Sequence, residues 1–119
     1  MVWAFLERWA GRLTLQGVAK GEPGEAMNAI DDALGEARAA ILDVHFFSGV
    51  QVAIHFEVEP SSVLLLEEAL TRAGVVLDAS CHEAIAAAAA FDRVIPGSLA
   101  VTFAHGDPDL RQEIPKVPG

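Results

Sequence analysis

Asp43, His45, His55 and Glu57 stand at alternate positions of two apolar runs, ILDVHFF (Ile41 to Phe47) and VQVAIHFEV (Val50 to Val58). Successive side chains of a strand point to opposite faces. The four ionisable groups therefore share one face, and Leu42, Val44, Phe46, Val50, Val52, Ile54, Phe56 and Val58 share the other. A carboxylate beside an imidazole fixes the ring tautomer and leaves the far nitrogen as a general base. Asp43 with His55 or His45 is the pair to which that chemistry falls, with Thr14, Gln16 and Thr102 as polar neighbours on the same face.

How close these groups come depends on how the two runs pair. Ser48-Gly49 lies between them, the pattern of an antiparallel hairpin. A two-residue turn would set Phe47 opposite Val50 and turn Asp43 and His45 in among apolar side chains, which costs several kcal/mol of order when they are unpaired. A three-residue loop, Phe47-Ser48-Gly49, sets Phe46 opposite Val50, Val44 opposite Val52 and Leu42 opposite Ile54, with Gly49 supplying the positive φ of its last position. The hydrophobic pattern selects the second. In that register His45 faces Gln51 and His55 faces Ile41, so the histidines are about 13 Å apart along the strands, too far to share a metal. Asp43 becomes a diagonal neighbour of His55 at roughly 7–8 Å between backbones, within side-chain reach.

The other clusters carry less chemistry. Cys81-His82-Glu83 follows Ser80, and serine with glutamate three residues on has the spacing of a capping box, which gives both a structural role at a helix start. His105-Gly106-Asp107-Pro108-Asp109 is built from ordinary turn residues. Neither a dinucleotide fingerprint, a P-loop nor a nucleophile elbow is present. No metal site and no cofactor are expected.

The chain carries 17 acidic and 8 basic residues, for a formal net charge of -9 over 119 residues. Such a surface repels polyanions, so neither nucleic acid nor an anionic membrane is an expected partner. A single cysteine excludes an intrachain disulfide and a thiolate zinc cluster. No run reaches the ~20 apolar residues of a membrane span. Glu7 and Arg8 interrupt the apolar N-terminus before a signal-peptide core forms. A cytoplasmic protein is the expectation.

The positioning elements follow from periodicity. Residues 2–9 fit an edge strand or one to two helical turns. RLTLQGVA reads as a strand; Pro23 opens a helix over 23–37 with Ala26, Met27, Ile30, Ala33, Leu34 and Ala37 on one stripe. After the hairpin, Pro60 and Ser61 or Ser62 start a second helix, striped by Val63, Leu66, Ala69, Leu70 and Ala73 and ended by Gly74. Leu64 and Leu65 fall off that stripe. VVLDA (75–79) is a short strand, a third helix begins at Ser80, and SLAVTFAH (98–105) is a last strand. Strand, helix, hairpin, helix, strand is the order of a ferredoxin-like βαββαβ sandwich, an α+β fold whose antiparallel sheet carries its helices on one face. The third helix and last strand are extras, the strand extending the sheet or replacing VVLDA at its edge. Residues 1–105 are read as one domain and 106–119 as an extended tail.

In layout, residues 13–79 resemble an ACT-type regulatory domain, and LTLQGVAKGEPGEAM is similar to the strand–turn–helix where that family binds amino acids. The resemblance implies an effector site lined by Gly17, Glu22 and Gly24, although the turn is longer than the family pattern. The expected function is a non-catalytic module that binds a small metabolite and acts as a homodimer through the half-apolar open sheet face. One alternative is a small enzyme similar to dimeric α+β barrel proteins, with His55 or His45 as base and Asp43 orienting it. Another is a structural or assembly subunit, which Leu64, Leu65 and the proline-rich tail would serve.

Overall fold

The computed structural model describes residues 12–47 and 49–104. The sequence readings of residues 2–9, of His105 to Asp109 and of the tail lie outside those residues. The elements are β1 (Leu13–Lys20), α1 (Pro23–Glu36), β2 (Ala40–Phe47), β3 (Gln51–Val58), α2 (Val63–Arg72, entered through a 3-10 turn at Pro60–Ser62), β4 (Val75–Leu77), α3 (Cys81–Ala89) and β5 (Ile95–Ala104).

These form a small α+β domain with one five-stranded sheet in the order β2-β3-β5-β1-β4. The sheet is mixed, which corrects the antiparallel expectation: β5 runs parallel to β1 and antiparallel to β3. β5 also neither extends the sheet nor replaces β4 at its edge, but is inserted between β1 and β3. The sheet is therefore not the simple four-stranded arrangement of a ferredoxin-like sandwich. Its own side chains explain the placement. Ile95, Gly97, Leu99, Val101 and Phe103 are buried at every second position of ten residues, whereas β4 has three residues in all. Gly97 leaves space for a neighbour: a Cβ there would meet Cε1 and Cζ of Phe56 at 2.6 Å. Pro96 pairs with Glu57 of β3, but the ladder to β1 begins at Gly97, so the missing N–H falls beyond that ladder.

The core lies between the buried sheet face and the helices, whose inward residues recur at three-and-four spacing: Ala26, Ile30, Ala33 and Leu34 of α1, Val63, Leu66, Ala69 and Leu70 of α2, and Cys81, Ile85 and Ala88 of α3. Gly74, at φ 95°, ends α2 as its position suggests. The capping box at Ser80 does not form. Ser80 already has helical φ and ψ and its side chain makes no cap hydrogen bond; the backbone N–H groups of Cys81 and His82 donate instead to the carbonyls of Asp78 (2.9 Å) and Ala79 (3.2 Å). Leu64 and Leu65 are exposed. Among the described residues, no helix is long and apolar enough to cross a membrane.

Among the described residues the opposite sheet face carries no helix, and its inward-outward alternation is clean in β1, β3 and β5. It presents Asp43, His45 and Phe47 from β2, Gln51, Ala53, His55 and Glu57 from β3, Ser98, Ala100 and Thr102 from β5, and Thr14, Gln16 and Val18 from β1.

Candidate ligand site on the open sheet face

The β2–β3 hairpin turns with Gly49 at φ 76° and the N–H of Val50 donating to the carbonyl of Phe47 at 3.2 Å. The glycine reading holds, but the register differs from the expected one. Phe47 pairs with Gln51, Phe46 with Val52, Val44 with Ile54 and Asp43 with His55. Relative to the expected pairing, β3 has moved by two residues, so each residue keeps its face while its partner changes. Val50 stays out of the β2–β3 ladder, and its carbonyl accepts a hydrogen bond from Phe103 of β5 at 2.8 Å. That contact is absent from any reading of the hairpin alone.

A second irregularity follows at Leu42. Ile41 pairs with Phe56 and Asp43 with His55, so Leu42 is the extra residue of a β-bulge. Ile41 therefore takes the parity of the helix-facing side rather than the open face. Of the six apolar side chains expected beneath the helices, Val52 and Ile54 are buried and Val44 half-buried, but Leu42 is 58%, Phe46 62% and Val50 46% exposed. β2 is the outermost strand, and the helices do not reach across it.

The new register changes the site. Asp43 is directly opposite His55, and His45, opposite Ala53, becomes its diagonal neighbour. Nδ1 of His55 lies 2.6 Å from Oδ1 of Asp43, and Nε2 of His45 lies 3.5 Å from the same oxygen. The two imidazole rings meet edge to face with centroids 6.1 Å apart. The separation of about 13 Å expected along the strands does not occur, and the argument it gave against a shared metal falls with it. An ionised carboxylate only accepts, so His55 donates its Nδ1–H and presents Nε2 outward. Side-chain exposures of 54% for Asp43, 59% for His45 and 40% for His55 leave all three open to solutes.

The hydrogen bond from His55 holds the Asp43 carboxyl below its usual range; a slight loss of solvent opposes this, and the charges of both imidazoles add to it. A carboxyl with a lowered folded-state pKa contributes stability that is present above its unfolded value and lost as pH falls through the folded one. The replacement His55→Ala should accordingly raise the Asp43 midpoint toward the ordinary aspartate value, as followed by carboxyl carbon shifts in an NMR titration. An unchanged midpoint would show that the bond does not form in solution.

Strand pairing places these groups in rows across the face. Asp43, His55, Ser98 and Thr14 form one; His45, Ala53, Ala100 and Gln16 the next; Phe47, Gln51, Thr102 and Val18 the third. The middle row has two alanines at its centre. They make a low floor bounded by His55 and Ser98 on one side, Gln51 and Thr102 on the other, and His45 and Gln16 at its ends. A shallow depression of about 180 Å³ opens over part of this floor, lined by Gln16, Gly17, Val18, Gln51, Asp78, Ala100 and Thr102. Gln16 is held at its rim by a 2.6 Å hydrogen bond from its side-chain amide to Asp78. Ser98, Gln51, Ala53, Ala100 and Asp78 were not singled out in the sequence as site residues. Ser98 and Ala100 have open-face parity in SLAVTFA, but only the central placement of β5 makes them neighbours of His55 and Ala53.

The other sequence candidates have local roles. Gly17 is buried where β4 crosses close, and a Cβ on it would come 2.5 Å from the Val76 carbonyl oxygen. Glu22 caps α1, its carboxylate accepting from the Gly24 N–H at 2.9 Å. Cys81 is buried, with Sγ 3.6 Å from the Gln16 carbonyl, and His82 pairs with Glu67 at 2.9 Å. No known family model, curated protein or solved structure matches the chain.

Proposed function

We propose that the protein is a small-ligand-binding module without catalysis, and that its ligand lies on the Ala53–Ala100 floor of the open sheet face. The observation that carries this reading is the row arrangement itself: two minimal side chains ringed by imidazole, hydroxyl and amide groups on rigid strands. Such a ring suits a small polar metabolite with hydrogen-bonding groups at both ends, reaching His45 or His55 at one and Gln16 at the other. A second copy closing on this face would cover the exposed Phe47, Val18 and Val76 and turn a shallow floor into an enclosed pocket. Of the three residues of the expected effector site, Gly17 lies in β1 and lines the depression, whereas Glu22 and Gly24, at the start of α1, are not part of this site.

Thermal-shift screening of amino acids and small polar metabolites tests the reading. A ligand that raises the melting temperature of the wild type should lose its effect in Ala100→Leu, which fills the floor, and weaken in His55→Ala. A hit indifferent to Ala100→Leu would place binding elsewhere.

A second reading is favoured by the 2.6 Å Asp43–His55 contact, which is the arrangement of an oriented general base. In it His55 Nε2 accepts the proton and Asp43 fixes the ring. Among the described residues Ser98, the adjacent hydroxyl in the same row, makes no hydrogen bond to His55, so the geometry supports proton abstraction from a bound ligand rather than an activated serine.

A further inference from the structure

Three donor atoms converge at the β2–β3 corner of the open face. Asp43 offers a carboxylate oxygen and His45 and His55 one ring nitrogen each, and all three lie within 4.8 Å of one another. Tetrahedral coordination at bond lengths of ~2.0–2.2 Å sets donors roughly 3.3 Å apart. The observed contacts of 2.6 and 3.5 Å to Asp43 Oδ1 bracket that spacing. Small side-chain rotations would bring the three donors to one centre without moving a strand. An ordinary surface ion pair needs one imidazole for one carboxylate. Here two imidazoles approach the same oxygen, from paired strands that fix their backbone positions.

We propose that Asp43, His45 and His55 bind a divalent first-row transition-metal ion, with its remaining coordination positions open to water or to a ligand on the adjacent floor. Two histidines and one carboxylate are the donor set of zinc and non-haem iron sites, and neutral imidazole with carboxylate suits these ions better than calcium or magnesium. On binding, the Asp43–His55 hydrogen bond is replaced: if Nδ1 is the ligating nitrogen, its proton moves to Nε2 of the same ring, and both imidazoles bind uncharged. Protons therefore compete with the metal for the donor atoms, and acid weakens binding. The proposal shares this corner with the ligand reading above, and Ala100→Leu separates the two, because it fills the floor and leaves all three donor residues in place.

The test is isothermal titration of the chelator-treated full chain with zinc chloride, at mildly alkaline pH. One zinc per chain is expected. Asp43→Asn, His45→Ala and His55→Ala should each weaken it by at least about 10-fold, the scale on which even outer-shell changes act. His82→Ala, which removes the imidazole paired with Glu67 on the helical side, and Ala100→Leu should leave it unchanged. Circular dichroism verifies that each variant is folded. No zinc binding, or binding that the three ligand variants leave intact, overturns the metal site. Loss of metabolite binding in Ala100→Leu with zinc binding retained upholds both readings. Metabolite binding without zinc binding overturns only this one.

Discussion

Phe56→Ala is expected to cost about 3–5 kcal/mol of stability, the range for truncating a fully buried aromatic side chain. Phe56 is completely buried in the C-terminal half of β3, its ring lying where Gly97 of β5 has no side chain. For a domain of this size such a loss lowers the melting temperature by about 12–20 °C. The variant should loosen the site along with the core, because His55 and Glu57 flank Phe56 and the same strand pairs with β2 and β5. Phe56→Leu, which keeps most of the volume, should retain most of the stability. Chemical denaturation of the two variants decides it: a Phe56→Ala loss below about 1 kcal/mol, smaller than buried large-to-small changes give, would mean that the ring is not in the core.

Gly17→Ala is the second large effect, and it separates a packing role from a binding one. The added methyl would meet the backbone oxygen of Val76 at 2.5 Å and Leu77 Cα at 3.1 Å, neither of which can swing aside as a side-chain tip can. Either β4 moves off β1 or β1 bends, at roughly 1–3 kcal/mol for overpacking of this kind. Hydrogen exchange should show lost protection at Val75 to Leu77 while β2, β3 and β5 keep theirs. Zinc binding at Asp43, His45 and His55, two to three strands from Gly17, should persist. Full protection of β4 in Gly17→Ala would contradict the close β1–β4 contact.

The sequence was most legible where the information is local. Helical spacing located α1 and α2, and Pro23, Gly49 and Gly74 stand at the conformations their chemistry suits. The pairing of Asp43 with His55 was also within reach, because period-two alternation placed both on the open face. What alternation cannot specify is a slip of two residues, since that leaves every side chain on its own face. The slip decided whether His45 and His55 were neighbours. Its physical cause is non-local: the Val50 carbonyl is held by Phe103, and Leu42 bulges out of the ladder. The exposure of Leu42 and Phe46 has a similar origin, because nothing in their own run says that β2 lies at the edge of the sheet. The alanine floor depends on β5 lying between β1 and β3, a parallel pairing between segments some eighty residues apart.

Everything claimed for the open face rests on Asp43 pairing with His55 rather than with Ala53. The most direct measurement is a nuclear Overhauser experiment between assigned ring protons of His45 and His55 in the full chain. With centroids 6.1 Å apart and the rings edge to face, cross-peaks between them are expected. With Asp43 opposite Ala53 the rings lie about 13 Å apart; cross-peaks from Ala53 to Asp43 in place of those between the rings would contradict the account.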